Sequence, residues 1–555
     1  MTASVLAAER LLFQPAASNS DAIPTIFAFP NEYSVGITSL GYQVIWAMLA
    51  QRSDLAVGRL FTDLTSNLPS RPELMGFSVS WELDYINILN LLEQQKIPIW
   101  SRDRTHDHPL IFGGGPVLTA NPEPFADFFD IVLLGDGEDL IPTFIDTYKS
   151  VRAASRAEQL KTLAQVPGIY VPSLYQPIYT EPTGPISRVE PASGIPHIVK
   201  KQTYRGNVLL SSTVVTEKAA WENIFMVEVV RSCPEMCRFC LASYLTLPFR
   251  TASIDQSLIP AIERGLAVTK RLGLLGASVT QHPGFEELLD HINQPAYDDV
   301  RLSIASVRTN TVNARLASTL MNHGTKSITI AVESGSDRVR QIINKKLETP
   351  DIERAVVNAK EGGLSSVKLY GMAGIPGETD SDLEATATMM LQLKKAAKGL
   401  RLTLGCSTFV PKSHTPFQWY GVNAKAEKRL KFLQKKLRSQ GIDFRPESYN
   451  WSVIQTLISR GDRRVSQLLE RVRHYGDSLG SYRRAFKELK GQLPALDFYV
   501  YADWPVDQTL PWDHLEGPLP KPTLVKHLQT AEACMDAPRL MATAPAEDQA
   551  LSLNA

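Results

Sequence analysis

Short apolar stretches alternate with longer segments of helical periodicity through most of this chain. Thr25-Ile26-Phe27-Ala28-Phe29-Pro30 predicts a short buried strand, and 40–49 a helix with apolar residues at helical spacing. Leu74-Met75-Gly76-Phe77-Ser78-Val79-Ser80 predicts a second strand, followed by an amphipathic helix over 84–95. Segments 109–116 and 131–138 predict two more strands, the latter feeding a helix over 140–150. Apolar strands alternating with helices imply a doubly wound parallel sheet. Ligands of such sheets bind at the carboxyl ends of the strands. Gly113-Gly114-Gly115 and Gly135-Asp136-Gly137-Glu138 stand there, and glycines allow a large flat ligand close to the backbone.

From 166 to 222 the chain is rich in Pro, Thr, Ser and Tyr and reads as a connecting segment. Strand and helix then repeat six times, with strands at 225–230, 274–279, 301–306, 327–332, 366–372 and 401–409. Helical segments at 255–272, 311–322, 337–345 and 380–395 lie between them. Six such units fit an open, TIM-type (β/α)6 partial barrel, whose chemistry collects at the strand ends. From about 423 the pattern turns helical and charged. The fold class is therefore α/β, with an N-terminal doubly wound sheet (20–165), a connector (166–222), a partial barrel (223–422) and a mostly helical C-terminal region (423–535). The tail 536–555 is Ala-rich and polar without periodicity, which predicts disorder.

Composition narrows the function classes. Lys plus Arg equals Asp plus Glu at 58 each, so net charge makes no case for nucleic acid or an anionic membrane. An arginine-rich stretch (Arg460, Arg463, Arg464, Arg471, Arg473, Arg483 and Arg484) keeps nucleic-acid binding as a minor alternative to a solvated helix face. No apolar run approaches the roughly 20 residues of a membrane span. The N-terminus lacks a secretory signal pattern, and five cysteines in 555 residues form no disulfide framework, so a reducing, cytoplasmic setting is expected.

Three of those cysteines, Cys233, Cys237 and Cys240, form a C-x3-C-x2-C run directly after the first barrel strand. Three thiolates on a short loop can hold three irons of a [4Fe–4S] cube and leave the fourth iron open. Zinc would want a fourth closing ligand, and electron-transfer clusters four cysteines. No nearby residue supplies either. With an aromatic residue before its last cysteine, the run resembles the radical S-adenosylmethionine (SAM) superfamily. The resemblance implies that the open iron chelates SAM, and that one electron, from a reductant such as flavodoxin or ferredoxin, cleaves it to a 5′-deoxyadenosyl radical.

Later strand ends resemble the SAM-binding elements of that superfamily. Gly276, Ala277 and Ser278 stand where the family contacts the SAM amino group, although a plain βα turn has the same residue types. Arg308 is placed to pair with the SAM carboxylate or to brace the barrel mouth. Glu333 and Ser334, in Glu333-Ser334-Gly335-Ser336, look like the ribose-binding segment, or else a helix N-terminal charge. Gly374 and Ile375, in Gly374-Ile375-Pro376-Gly377, resemble the adenine-stacking turn.

Phe409 to Trp419, with Arg460-Gly461-Asp462-Arg463-Arg464 and Leu510-Pro511-Trp512-Asp513-His514-Leu515, resembles a bacterial group carrying an N-terminal cobalamin-binding-like domain. In that group a corrin would face Gly113, Gly114, Gly115, Gly135, Gly137 and Glu138. The Asp-x-His-x-x-Gly motif of many cobalamin domains is missing from residues 1–200, and His106 and His108 have the wrong spacing to replace it. The expected activity is hydrogen abstraction from a substrate the sequence does not name, with methylation as the outcome if cobalamin binds. A non-catalytic iron–sulfur sensor and an RNA-modifying enzyme are the alternatives. A methylthiotransferase would need three more cysteines for a second cluster, and only Cys406 and Cys534 remain, far apart.

Overall fold

The computed structural model describes residues 2–305 and 307–536. Ser306 and the tail expected to be disordered lie outside the described residues, apart from Asp536, which ends a helix.

The N-terminal sheet contains, in chain order, β1 (Ile23–Ala28), β2 (Leu55–Leu60), β3 (Thr65–Ser66), β4 (Leu74–Ser78), β5 (Leu110–Gly114), β6 (Ile131–Leu133) and β7 (Ile169–Tyr170). Its spatial order is β3-β2-β1-β4-β5-β6-β7, with only the edge strands β3 and β7 antiparallel. The order reverses between β1 and β4, which makes their carboxyl ends the crevice of a doubly wound sheet. Helices Leu40–Ala50 and Gly137–Ser150 pack against each other. Gly76 is required by packing, because a Cβ there would lie 2.2 Å from the Phe112 ring.

Three strands escape the hydrophobic pattern. β3 and β7, of two residues each, are too short to register, and in β2 Gly58 and Arg59 interrupt the apolar run. Arg59 is instead buried, pairing with Glu9 at 2.7 Å and lying 4.1 Å over the Trp46 ring. A charge is tolerated there because it is both paired and stacked.

The barrel is built from β8 (Ile224–Glu228), β9 (Arg271–Leu275), β10 (Arg301–Ile304), β11 (Ser327–Glu333), β12 (Ser366–Ala373), β13 (Arg401–Thr408) and β14 (Asp443–Pro446). All neighbours are parallel, in the runs β8-β9-β10 and β11-β12-β13-β14, and a Val307–Ile330 bridge joins the two. The partial barrel thus has seven strands where the sequence suggested six. Helix Ala426–Arg438 and β14 extend the barrel sheet past residue 422, where the sequence reading placed its end. The second strand also sits earlier than the expected 274–279, so residues 276–278 are loop.

The C-terminal helices share one hydrophobic core with the N-terminal sheet, while a second core fills the barrel. This overturns the reading of a solvated basic face for Arg460, Arg463 and Arg464, whereas Arg471, Arg483 and Arg484 are exposed as expected. Arg460 is fully buried, 3.7 Å over the Trp504 ring, and donates to the Tyr499 carbonyl at 2.9 Å. Arg463 pairs with buried Glu123 at 3.1 Å and donates to the Tyr175 carbonyl at 2.6 Å. Arg464 pairs with Asp462 at 2.6 Å and stacks 3.8 Å over Tyr179. His514 closes the cluster beside Glu123 at 3.5 Å. These two motifs are the clamp between the C-terminal helices, the connector and the N-terminal sheet.

Candidate active site

β8 hands its chain to the cysteine loop, which turns through two left-handed non-glycine residues, Ser232 at φ 71° and Met236 at φ 56°. Such conformations persist only when their surroundings fix them. Here the C-terminal end of helix Asp337–Ile342 and the loop after it do so. The Arg238 amide donates to the Ile343 carbonyl at 2.9 Å, and its guanidinium donates to the carbonyls of Gln341 at 2.8 Å and Ile342 at 2.6 Å. Asn344 returns a side-chain N–H to the Met236 carbonyl at 2.9 Å.

Cys233, Cys237 and Cys240 are free thiols lining one cavity of about 200 Å³ at the barrel mouth. Burial pushes the Cys237 thiol up to about 12, helped by its cysteine neighbours and Glu333 and opposed by Lys345. Burial raises Cys240 as well. Among the described residues no group of three His, Cys, Asp or Glu forms a site for a single metal ion. The fit to a cluster therefore rests on donor chemistry, three soft thiols facing a common space. Cys406, buried in the barrel core, and Cys534, on the last helix, do not line it.

The same cavity gathers part of the expected SAM set: Ala277, Ser278, Arg308 and Glu333. Glu333, itself left-handed at φ 63°, accepts from the Lys345 ammonium at 2.9 Å. Arg308 is held by Glu235 at 3.0 Å and donates to the Lys346 carbonyl at 2.9 Å.

Four expected SAM contacts do not reach the cavity. Gly276, at φ 149°, lies against β8's exit, where a Cβ would come within 2.6 Å of the Val230 carbonyl. Ser334 turns to Thr386 of helix Asp380–Ala396, and a Cβ on Gly335 would stand 2.4 Å from that residue's Cα. The Ser-Gly-Ser segment is thus the seam between a strand end and a helix, and only Glu333 faces the ligand space. Gly374 packs on Ala426, Ile375 is fully buried, and the Gly374 amide donates to Glu378 at 2.7 Å. Lys345 and Tyr370 line the cavity but escaped sequence reasoning, because Lys345 sits in what scans as a helix end and Tyr370 in a strand.

Residues 227–390 match the family model described as the radical SAM superfamily, and residues 59–172 that of radical SAM proteins, N-terminal. The chain carries a radical SAM domain and is an enzyme. It is 28% identical over 446 residues to the uncharacterized protein MJ0966 of Methanocaldococcus jannaschii, covering 80% of this chain and 89% of that one. A tRNA-2-methylthio-N(6)-dimethylallyladenosine synthase of Rickettsia felis is 24% identical over 266 residues, 44% of this chain. The match spans just over half of that relative, 56%. Among solved structures, the radical SAM methyltransferase TsrM of Kitasatospora setae, with cobalamin and a [4Fe–4S] cluster bound, superposes with a TM-score of 0.50 at 12% identity. The superposition covers 72% of this chain and 77% of TsrM, and shows that this enzyme shares the architecture of a cobalamin-binding-like domain on a radical SAM barrel.

A second cavity, of about 330 Å³, opens at the carboxyl edge of the enzyme's N-terminal sheet. Gly114, Gly115, Gly135, Gly137 and Glu138 line it, whereas Gly113 is packed behind against Leu118 and Phe129. Its space is partly left by missing side chains. A Cβ on Gly41 would meet nothing within 4 Å, and one on Gly114 nothing nearer than 3.6 Å. Arg231 and Lys201 close its barrel side, Arg231 pairing with Glu138 and Glu228 at 2.7 Å each. Burial, and then the charge of Arg250, brings the Lys201 ammonium down to about 8 against the pull of Asp136. Among the described residues no histidine lines this cavity, and His106 lies exposed on a loop away from it.

Proposed function

We propose that this enzyme holds a [4Fe–4S] cluster on Cys233, Cys237 and Cys240, cleaves SAM reductively, abstracts hydrogen from its substrate, and transfers a methyl group with the help of a corrinoid. The observation that carries the reading is that the cysteine loop is the wall between two cavities. Arg231, Leu245 and Thr246 face the glycine-edged one, while Cys233, Cys240 and Ser243 face the other.

A bound cluster supplies the single electron that cleaves the SAM sulfonium, and a bound corrinoid supplies a methyl carrier. The chain's own part is positioning. The Cys237 and Cys240 thiols, held protonated by burial before loading, release protons as iron binds. Glu333 offers a carboxylate to ribose hydroxyls, while Lys345 compensates its charge among the thiolates. Arg308 reaches the wall opposite and can share its guanidinium between Glu235 and a SAM carboxylate. The glycines of the second cavity let a flat ring approach the ends of β5 and β6. The reductant is a flavodoxin or ferredoxin. No helix among the described residues is long and apolar enough to cross a membrane.

The test is anaerobic purification with cobalamin supplied during growth, followed by iron, sulfide and corrinoid analysis and an assay for 5′-deoxyadenosine with dithionite. Four irons, one corrinoid and reductant-dependent cleavage support the reading. A loaded cluster that never cleaves SAM would instead make the protein a sensor.

A further inference from the structure

A third cavity, about 720 Å³ and larger than either cavity at the cysteine loop, lies among the C-terminal helices. Its floor is apolar: Val453 and Ile454 from helix Tyr449–Arg460, Tyr482 and Phe486 from helix Leu479–Glu488, and Leu493 and Leu496 beyond it. Val453, Ile454, Tyr482 and Leu493 are buried. The volume falls within the roughly 300–1,000 Å³ of small-molecule sites.

Its rim carries the opposite chemistry. Arg483 and Lys487 stand one helical turn apart, and Lys490 follows the helix end. All three are exposed, and none forms an ion pair within the described residues. Among the described residues no Asp or Glu lines the cavity. The neighbouring Arg484 shows the contrast, since it points to the other side and pairs with Glu488 at 3.0 Å. Three unpartnered cations repel one another, and an apolar hollow beside them is costly to leave wet. One ligand satisfies both features.

We propose that this cavity binds a single-chain anionic amphiphile, of the fatty-acid type, with its chain on Val453, Ile454 and Phe486 and its head group at Arg483, Lys487 and Lys490. A carboxylate at that rim gains charge-assisted hydrogen bonds, and Arg483 can take it bidentately. A nucleic acid fits less well. Single-strand sites stack bases on exposed aromatic faces, and Tyr482 here is buried with its hydroxyl bonded to that of Tyr85 at 2.9 Å. The inference stands apart from the radical chemistry, so it survives or fails without reference to the cluster.

The experiment is a fluorescence titration of the full chain with cis-parinaric acid. Saturable binding at one site is expected. The affinity should fall tenfold or more in the surface variant Arg483→Glu/Lys487→Glu/Lys490→Glu, and by a similar factor for the methyl ester of the acid. Ile454→Trp, which fills the floor, should abolish binding. Should that variant fail to fold by circular dichroism, the charge-reversal variant decides alone. Unchanged affinity in the charge-reversal variant overturns the proposal. So does binding of only anionic phospholipid vesicles, or only an RNA oligonucleotide, without binding of the free acid.

Discussion

Lys345, on a loop, and Glu333, twelve residues earlier at the end of β11, form a shielded ion pair of 2.9 Å directly beside Cys237 and Cys240. The backbone is left-handed at both ends of the pair, with Glu333 at φ 63°, Asn344 at φ 55° and Lys346 at φ 47°. Lys345→Met would leave the Glu333 carboxylate unpaired among thiolates. Breaking a buried pair by removing one partner costs about 3–5 kcal/mol, so the urea midpoint should fall clearly. Lys345→Met/Glu333→Gln should recover most of that loss, because the stranded charge is gone. Equal midpoints for both variants would mean the pair is solvated.

Glu333 is also the one member of its segment that faces the ligand space, which separates its role from that of Ser334. Glu333→Ala should retain the cluster and weaken SAM binding. A hydrogen bond to a charged group is worth about 1.5–3 kcal/mol, hence roughly ten- to a hundredfold in Kd by isothermal titration. Ser334→Ala should leave SAM affinity within a factor of a few and lower thermal stability instead. Unchanged SAM affinity in folded Glu333→Ala would make Glu333 structural.

Cysteine replacement discriminates the cluster assignment. Cys233→Ala, Cys237→Ala and Cys240→Ala should each lose the cluster absorbance and SAM cleavage. Cys406→Ala and Cys534→Ala should keep their iron, since neither side chain lines the cavity. Equal iron loss in Cys406→Ala would point to a four-cysteine site.

Acid sensitivity should come in two windows. Burial brings the His414 imidazole down to about 4, against roughly 6.5 in an unfolded chain. The unfolded state then binds more protons between these values, so stability is present above about 6.5 and is lost as pH falls towards 4. Burial alone would raise Glu123, but the charge of Arg463 above all, with the Tyr170 hydroxyl donating to the carboxylate, holds it at about 2. Its contribution is present above roughly 4.3 and is lost as pH falls through 2. His414→Asn, which also suits the left-handed φ of 59° there, should flatten the upper window only. Urea midpoints at pH 7, 5.5 and 4.5 check this, and parallel slopes for variant and parent would sink it.

The strands, the cysteine loop and the glycine-edged crevice were legible in the sequence because each is a local signal: apolar runs, close ligand spacing, turn residues at strand ends. The expected ribose contact divided, since nothing in Glu333-Ser334-Gly335-Ser336 says which residue looks into the barrel and which into the next helix. Lys345 was invisible for the same reason, as its partner is set by the fold. Arg460, Arg463 and Arg464 misled because a run of arginines reads as surface, and only tertiary structure shows Glu123, Asp462, Trp504 and Tyr179 waiting for them. β2 carries no unbroken apolar run, and the buried Arg59 within it meets its partner Glu9 only in the fold.

The glycine-edged cavity gives the last prediction. Gly114 has conventional backbone geometry and open space where a side chain would stand, its nearest neighbour there being the Leu133 carbonyl at 3.6 Å. Gly114→Leu should therefore fold, fill the cavity and reduce corrinoid retention tenfold or more, with iron content unchanged. Because no histidine among the described residues lines the cavity, the cob(II)alamin form of the parent enzyme should show no nitrogen hyperfine triplet from a protein imidazole in its electron paramagnetic resonance spectrum. A triplet that disappears on changing a histidine would overturn the ligand assignment. Full corrinoid retention in Gly114→Leu would move the corrin away from the ends of β5 and β6, and failure of the parent to retain any corrinoid would leave the cavity to the substrate.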